Sequence, residues 1–187
     1  MREWARRAHA APVPMHVKRS AVLRLGIPGA TWIETGTYLG DTTALLARHG
    51  LAVISIEPAV ELAARAAERF RATPSVRIVP GTSEDRLAAE LAGVQGDVNF
   101  WLDGHYSGGP TYRGASECPV TSELACIADA RARLGRIVVL IDDARLFGCG
   151  APRHPDYPSL DHLVCWARSH GLVWHVEHDI FVARTAD

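Results

Sequence analysis

Lysine is nearly absent from this chain: Lys18 stands alone against nineteen arginines, an imbalance that carries no functional reading of its own. Cysteine is sparse and scattered. Cys118, Cys126, Cys149 and Cys165 form no C-x-x-C pair, so the ligand spacing of a zinc site is missing, and reduced structural thiols are the expected state. No apolar run approaches the length of a membrane span, and the N-terminus lacks the apolar core of a signal peptide, which makes a cytoplasmic protein without membrane contact the expectation. A large excess of either charge is also lacking. A net charge of −1 argues against a surface built for wholesale phosphate neutralisation, so nucleic acid is not the expected partner. Internal repeats and low-complexity segments are absent as well.

What remains is an ordinary soluble composition, 48% hydrophobic and 22% charged, on 187 residues, enough chain to bury one full core. Charge is uneven along it. Residues 1–24 carry Arg2, Arg6, Arg7, Lys18, Arg19 and Arg24 against the single acid Glu3. Residues 1–29 read as a helical appendage, a lid or an oligomer contact, with one helix over Trp4–Ala11 broken by Pro12 and Pro14, and a second over Val17–Leu25. The domain proper is expected from residue 30 to residue 187. Its strands are expected at Trp32–Thr35, Val53–Ile56, Val76–Val79, Val98–Leu102 and Ile137–Ile141. Helices fall between them at Thr42–His49, Val60–Arg71, Glu84–Leu91 and Val120–Leu134. A last helix, Leu160–His170, precedes a terminal hairpin of Val173–Val176 and Ile180–Ala183. Strands alternating with helices predict an α/β fold: a doubly wound, mostly parallel, seven-stranded sheet with helices on both faces and an antiparallel C-terminal hairpin.

The most informative stretch runs from Trp32 to Thr43. A short apolar strand leads into Glu34-Thr35-Gly36-Thr37-Tyr38-Leu39-Gly40, then into a helix, and the next strand ends in an acid, Glu57, 21 positions after Gly36. Strand, glycine turn, helix, strand and acid is the layout by which a doubly wound fold holds an adenosine cofactor. The glycines let backbone approach ligand, and the acid accepts the ribose hydroxyls. A dinucleotide site wants G-x-G-x-x-G, whereas this chain has Glu-x-Gly-x-x-x-Gly. An ordinary tight turn uses the same residues, and the acid at Glu57 is what raises the pattern above it.

Three more acids are expected at strand ends, where open α/β sheets bind ligands: Asp103 after the fourth strand, Asp142 and Asp143 after the fifth. Strand-end aspartates often do no more than cap the following turn. Packed together, however, three carboxylates repel, and a hard divalent ion such as Mg²⁺ relieves the repulsion, binds a substrate hydroxyl and lowers its pKa. His105, two residues past Asp103, is placed to accept that proton near neutral pH. The glycine-rich loop Gly104–Cys118, with Tyr106, Tyr112 and Arg113, is long enough to fold over a substrate as a lid, and Glu123 stands in the helix behind it.

Glu34–Thr43, Asp103-Gly104-His105 and Asp142-Asp143 together resemble the class I S-adenosylmethionine (SAM) methyltransferases, and among them the Mg²⁺-dependent macrocin type that methylates sugar hydroxyls of antibiotics. The resemblance covers roughly Thr31–Asp143 and implies SAM and Mg²⁺ as cofactors, with a small hydroxylated molecule as substrate. It implies contacts to SAM from Glu34, Gly36, Tyr38, Gly40 and Thr42, with Glu57 on the ribose, Ser83 near the adenine and Asp103 beside the cofactor. The metal ligands would be Asp103, Asp142 and Asp143, and the general base His105, a position where the family often carries aspartate. Other readings stay open: a metal-independent SAM enzyme acting on oxygen or nitrogen, an RNA-binding or RNA-modifying module using the basic N-terminus, and a SAM-binding protein without catalysis. A homo-oligomer is compatible with all of them.

Overall fold

A computed structural model describes residues 2–104, 118–148 and 156–186. After the short helix α1 (Arg2–Arg6) and the helix α2 (Met15–Leu25), strands and helices alternate. The order is β1 (Thr31–Thr35), α3 (Asp41–Leu46), β2 (Val53–Glu57), α4 (Val60–Arg69), β3 (Val76–Pro80), α5 (Ser83–Ala92) and β4 (Gly96–Leu102). Then follow α6 (Val120–Ala130), β5 (Leu134–Ile141), α7 (Leu160–Ser169), β6 (Leu172–Glu177) and β7 (Ile180–Thr185). All seven strands join one sheet in the order β3-β2-β1-β4-β5-β7-β6, parallel except for β7, which runs antiparallel to both β5 and β6. The expected doubly wound sheet and its terminal hairpin are both present. Among the described residues no helix is long and apolar enough to cross a membrane.

Element boundaries moved where local chemistry decided them. The helix expected to run to Leu134 stops at Ala130, a 3-10 turn covers Arg131–Arg133, and Leu134 already belongs to β5. Arg131 donates to the carbonyls of Leu134 and Gly135, which folds the helix end back on the strand. Helix α5 begins at Ser83 because Thr82 is its N-cap, the Thr82 hydroxyl accepting from the Asp85 amide at 3.3 Å. The first helix is shorter than expected and ends at Arg6; Trp4 then anchors the following turn by donating from its indole to the Ala10 carbonyl at 3.0 Å.

The period-two pattern of the strands sorts their side chains onto two faces. One face carries Ile33, Ile54, Ile56, Phe100, Leu102, Val139 and Ile141 against α5, α6 and α7. The other carries Trp32, Val53, Trp101, Val138, Leu140 and Val182 against Ala21, Val22 and Leu25 of α2 and Leu46 of α3. The segment set apart by the sequence as an appendage therefore supplies one wall of a shared core. Positions 18, 21, 22 and 25 fall on one helical stripe, and all four are buried.

A buried amide holds the α2–β1 connection in place. Asn99, on the α2 face of β4 and fully buried, accepts from the Ile27 amide at 2.8 Å and donates to the Ile27 carbonyl at 3.0 Å. The side chain thus acts as a one-residue extension of the sheet ladder. Replacing it with Ala strands both Ile27 groups away from water. Asn99→Ala is expected to lower unfolding free energy by about 2 kcal/mol, read from urea denaturation, whereas truncation of an exposed polar residue such as Ser169 leaves the midpoint in place.

Candidate functional site

The parity that buries the core also aims the polar residues. On β1, Glu34 shares the α2 face with Trp32; on β4, Asp103 continues the face of Asn99 and Trp101; on β5, Asp142 continues that of Val138 and Leu140. The three acids are thus carried to the carboxyl edge of the sheet on one side. The turn before β7 joins them because β7 is antiparallel. Phe181 pairs with Ile141, so residues 178 and 179 lie at the same edge as the strand ends.

The glycine turn is built for close approach. Gly36 adopts φ +86°, and a Cβ there would come within 2.4 Å of the Asp103 carbonyl oxygen, so the ends of β1 and β4 touch through a residue that must lack a side chain. Gly40, at φ +78°, starts α3. Tyr38 lies between them, 47% exposed, its amide donating to Glu57 Oε2 at 2.8 Å. Glu57 accepts again at Oε1 from the Ala59 amide at 2.9 Å, and its own carbonyl accepts from the Gly81 amide at 3.0 Å. One acid at the end of β2 therefore ties together the turns after β1, β2 and β3, the last of which leads to the buried Ser83. Thr42 faces elsewhere: its hydroxyl accepts from Arg19 of α2.

Glu34 is fully buried. Its Oε2 accepts from Thr43 at 2.5 Å and from Ser55 at 2.6 Å, and its Oε1 has no hydrogen-bond partner among the described residues. Burial pushes its carboxyl up to about 7, against the opposing pull of the Ser55 and Thr43 hydroxyls. A single buried acceptor without a donor is the kind of vacancy a cationic or hydroxylated ligand fills.

At the other end of the edge, the sequence's three acids meet a partner that sequence reasoning left without a role. Lys18, only 3% exposed, projects from α2 and donates to Asp142 Oδ1 at 2.5 Å and to Asp143, with Asp179 Oδ2 at 3.7 Å. Burial alone would push its ammonium down, but Asp142 and then Asp143 outweigh that and hold it above its ordinary value. Asp142 remains raised by burial in spite of Lys18, because several acids share the one ammonium. Half-buried Asp103 is held well above the usual carboxylate range by desolvation and by Asp142 and Asp143. Arg145 completes the group with ion pairs to Asp143 and Asp179. Asp143 itself sits in the left-handed region at φ 54°. Among the described residues, no group of three or more histidine, cysteine or acidic side chains is arranged to hold a metal ion.

Beside this cluster opens a cleft of about 630 Å³, lined by Trp4, His9, Val13, Leu160, Val176 and Asp179 among others. Its wall is aromatic, with Trp4 edge-on to His9 at 4.7 Å and to His178 at 6.3 Å. Glu123, from α6, is buried on the other side of the β4 end, with Oε1 3.6 Å and the Thr35 hydroxyl 3.2 Å from the point where a Gly104 Cβ would stand. Glu123 is therefore buried rather than solvated, as most helical glutamates are. His105, Tyr106, Tyr112 and Arg113 lie outside the described residues. Lys18, Arg145, Asp179 and the Trp4 wall are additions from the tertiary structure. The one available signal for Lys18 was its rarity.

No protein-family model and no curated protein matches this chain. Solved structures do match in fold. The N-methyltransferase NodS from Bradyrhizobium japonicum WM9 aligns with a TM-score of 0.58 at 15% identity, over 91% of this chain and 94% of its own. SMU.1697c, a putative methyltransferase from Streptococcus mutans solved in complex with SAH, aligns with a TM-score of 0.54 at 11% identity, over 94% and 98%. A SAM-dependent methyltransferase from Aquifex aeolicus aligns with a TM-score of 0.54 at 14% identity, over 90% and 89%. The chain has the class I methyltransferase fold over nearly its full length.

An unfolded glutamate loses its proton near 4.5, whereas buried Glu34 keeps it to about 7. The native state therefore binds more protons across that interval, and stability falls as pH rises through it. Glu34→Gln is expected to match wild type near pH 4 and to exceed it at pH 7.5, by at most about 3 kcal/mol. Urea denaturation of both proteins at pH 4, 5.5 and 7.5 reads the difference.

Proposed function

We propose that this chain is a SAM-dependent methyltransferase acting on a hydroxyl of a small metabolite. The observation that carries the reading is the contact of the Gly36 turn with the end of β4, beside Glu57 at the end of β2, on a sheet of order 3-2-1-4-5-7-6. Such an arrangement would cradle an adenosine cofactor, and Glu34 Oε1, without a hydrogen-bond partner among the described residues, would offer it a polar contact. The residues present fit SAM: Glu57 would take the ribose hydroxyls with its remaining lone pairs, Gly36 and Gly40 leave backbone open to the ligand, and Ser83 closes the adenine side.

When bound, SAM supplies an electrophilic methyl on a sulfonium sulfur. The chain's task is to align the acceptor oxygen with that methyl and to take the hydroxyl proton as the bond forms. His105, directly after Gly104, is the proposed base. The cleft walled by Trp4, Val13 and Leu160 would seat the acceptor's apolar body beside the strand-end acids. Mg²⁺, implied by the macrocin-type resemblance, fits less well. Asp142 and Asp143, two of its three ligands, already bind Lys18, and Asp143 also binds Arg145, so no step is routed through a metal.

An RNA substrate is disfavoured by the partners of the basic N-terminus. Lys18 is buried among acids, Arg19 and Arg24 pair with Asp41 and Glu177, and Arg7 donates to the carbonyls of Ala11 and Pro12. Few of these cations are left to neutralise phosphates.

Titration calorimetry of SAH, the demethylated cofactor, into the purified chain is the direct test. Binding is expected, weakened roughly tenfold in Glu57→Gln through loss of a charged acceptor for the ribose. Absence of any heat would remove the methyltransferase reading. Binding without methyl transfer to any of a panel of sugars and phenols would leave a SAM-binding protein.

A further inference from the structure

The carboxylates at the edge of β4, β5 and β7 pose a charge problem that this chain solves internally. Asp142 and Asp143 bind one ammonium, Asp179 stands 3.7 Å from it, and Asp103 feels the same field. The ammonium comes from the N-terminal helix, across 124 residues of sequence, and from the single lysine of the chain. It is buried, and α2 is held there by Ala21, Val22 and Leu25 on the sheet and by the Asn99 clamp on Ile27. A compact ammonium with three donors suits three converging carboxylates better than a planar guanidinium does, which explains why lysine is kept here in a chain that otherwise uses arginine.

We propose that Lys18 is a built-in cation: its ammonium takes the position between Asp142, Asp143 and Asp179 that a divalent ion would otherwise hold, so the site works without a metal. Its role is to position these acids at the mouth of the acceptor cleft and to keep their charge matched. The connection with methyl transfer rests on the function proposed above; the occupancy of the cation position does not.

The experiment reads Mg²⁺ and Mn²⁺ binding to the full chain by calorimetry, with melting temperature in EDTA and in excess Mg²⁺, for wild type, Lys18→Ala and Lys18→Arg. Wild type and Lys18→Arg are expected to show no metal heat and the same melting temperature in both buffers. Lys18→Ala, left with uncompensated acids, is expected to melt lower in EDTA and to regain about 4 °C in excess Mg²⁺, a gain abolished by adding Asp142→Asn. If Lys18→Ala fails to fold, Lys18→Met, which keeps the stem, is read in its place. A wild-type metal site that Asp142→Asn removes would overturn the proposal whatever the variants do. So would a lysine-free variant as indifferent to metal as wild type. SAH titrated into wild type in EDTA and in excess Mg²⁺ separates the two ideas: no SAH binding in either buffer sinks the cofactor reading and leaves the metal result standing, whereas binding lost only in EDTA overturns the built-in cation.

Discussion

Crowded negative charge at the edge of the sheet is the constraint to which the rest of this structure answers. Parallel strands of alternating pattern deliver Asp103 and Asp142 to the same face, and the antiparallel return of β7 adds Asp179. Carboxylates in a half-buried setting either give up their charge or acquire a counterion. Here α2 brings one, Lys18, and the loop after β5 brings another, Arg145. The N-terminal segment is therefore tied to the domain through apolar packing along the α2 stripe, through the Asn99 clamp on Ile27 and through ion pairs, those of Lys18 buried.

That arrangement divides the edge in two. Over β1, β2 and β4 the backbone does the work: glycines at positive φ, a glutamate bridging three turns, and a buried Glu34 with one oxygen unmatched among the described residues. Over β5 and β7 the side chains do it, with ionic pairs below and an aromatic cleft above. On the function proposed above, the first half would take the cofactor and the second the acceptor. Solved structures at 11 to 15% identity retain the fold while little of the sequence is shared, which is what a sheet defined by pattern rather than by residue identity permits.

Much of the fold was legible in the chain because its signals are local. Apolar runs of five to eight residues ending in an acid or a glycine mark strands, and each appeared within a few residues of its expected place. The misplacements have local causes too: the Arg131 guanidinium folding a helix end onto β5, and the hydroxyl of Thr82 capping α5 one residue early. The Glu34–Gly40 turn and Glu57 were readable for the same reason, since strand, turn and acid lie close together in sequence. The buried stripe of α2 was harder, because a helix with one buried lysine on its apolar face does not look like a core element until its partner is known.

The sequence by itself determined the mostly parallel sheet and its terminal hairpin, the glycine turn and which acids would end the strands, because these depend on period, spacing and neighbours along the chain; the order of the last two strands, β7 inside β6, came from the tertiary structure. Only the tertiary structure decided what those acids meet. Lys18 lies 124 residues before Asp142, and nothing local marks either as the other's partner. Their meeting follows from how a helix stripe packs across a sheet face, a long-range fit that sets which charge is answered from within and which group is left for a ligand.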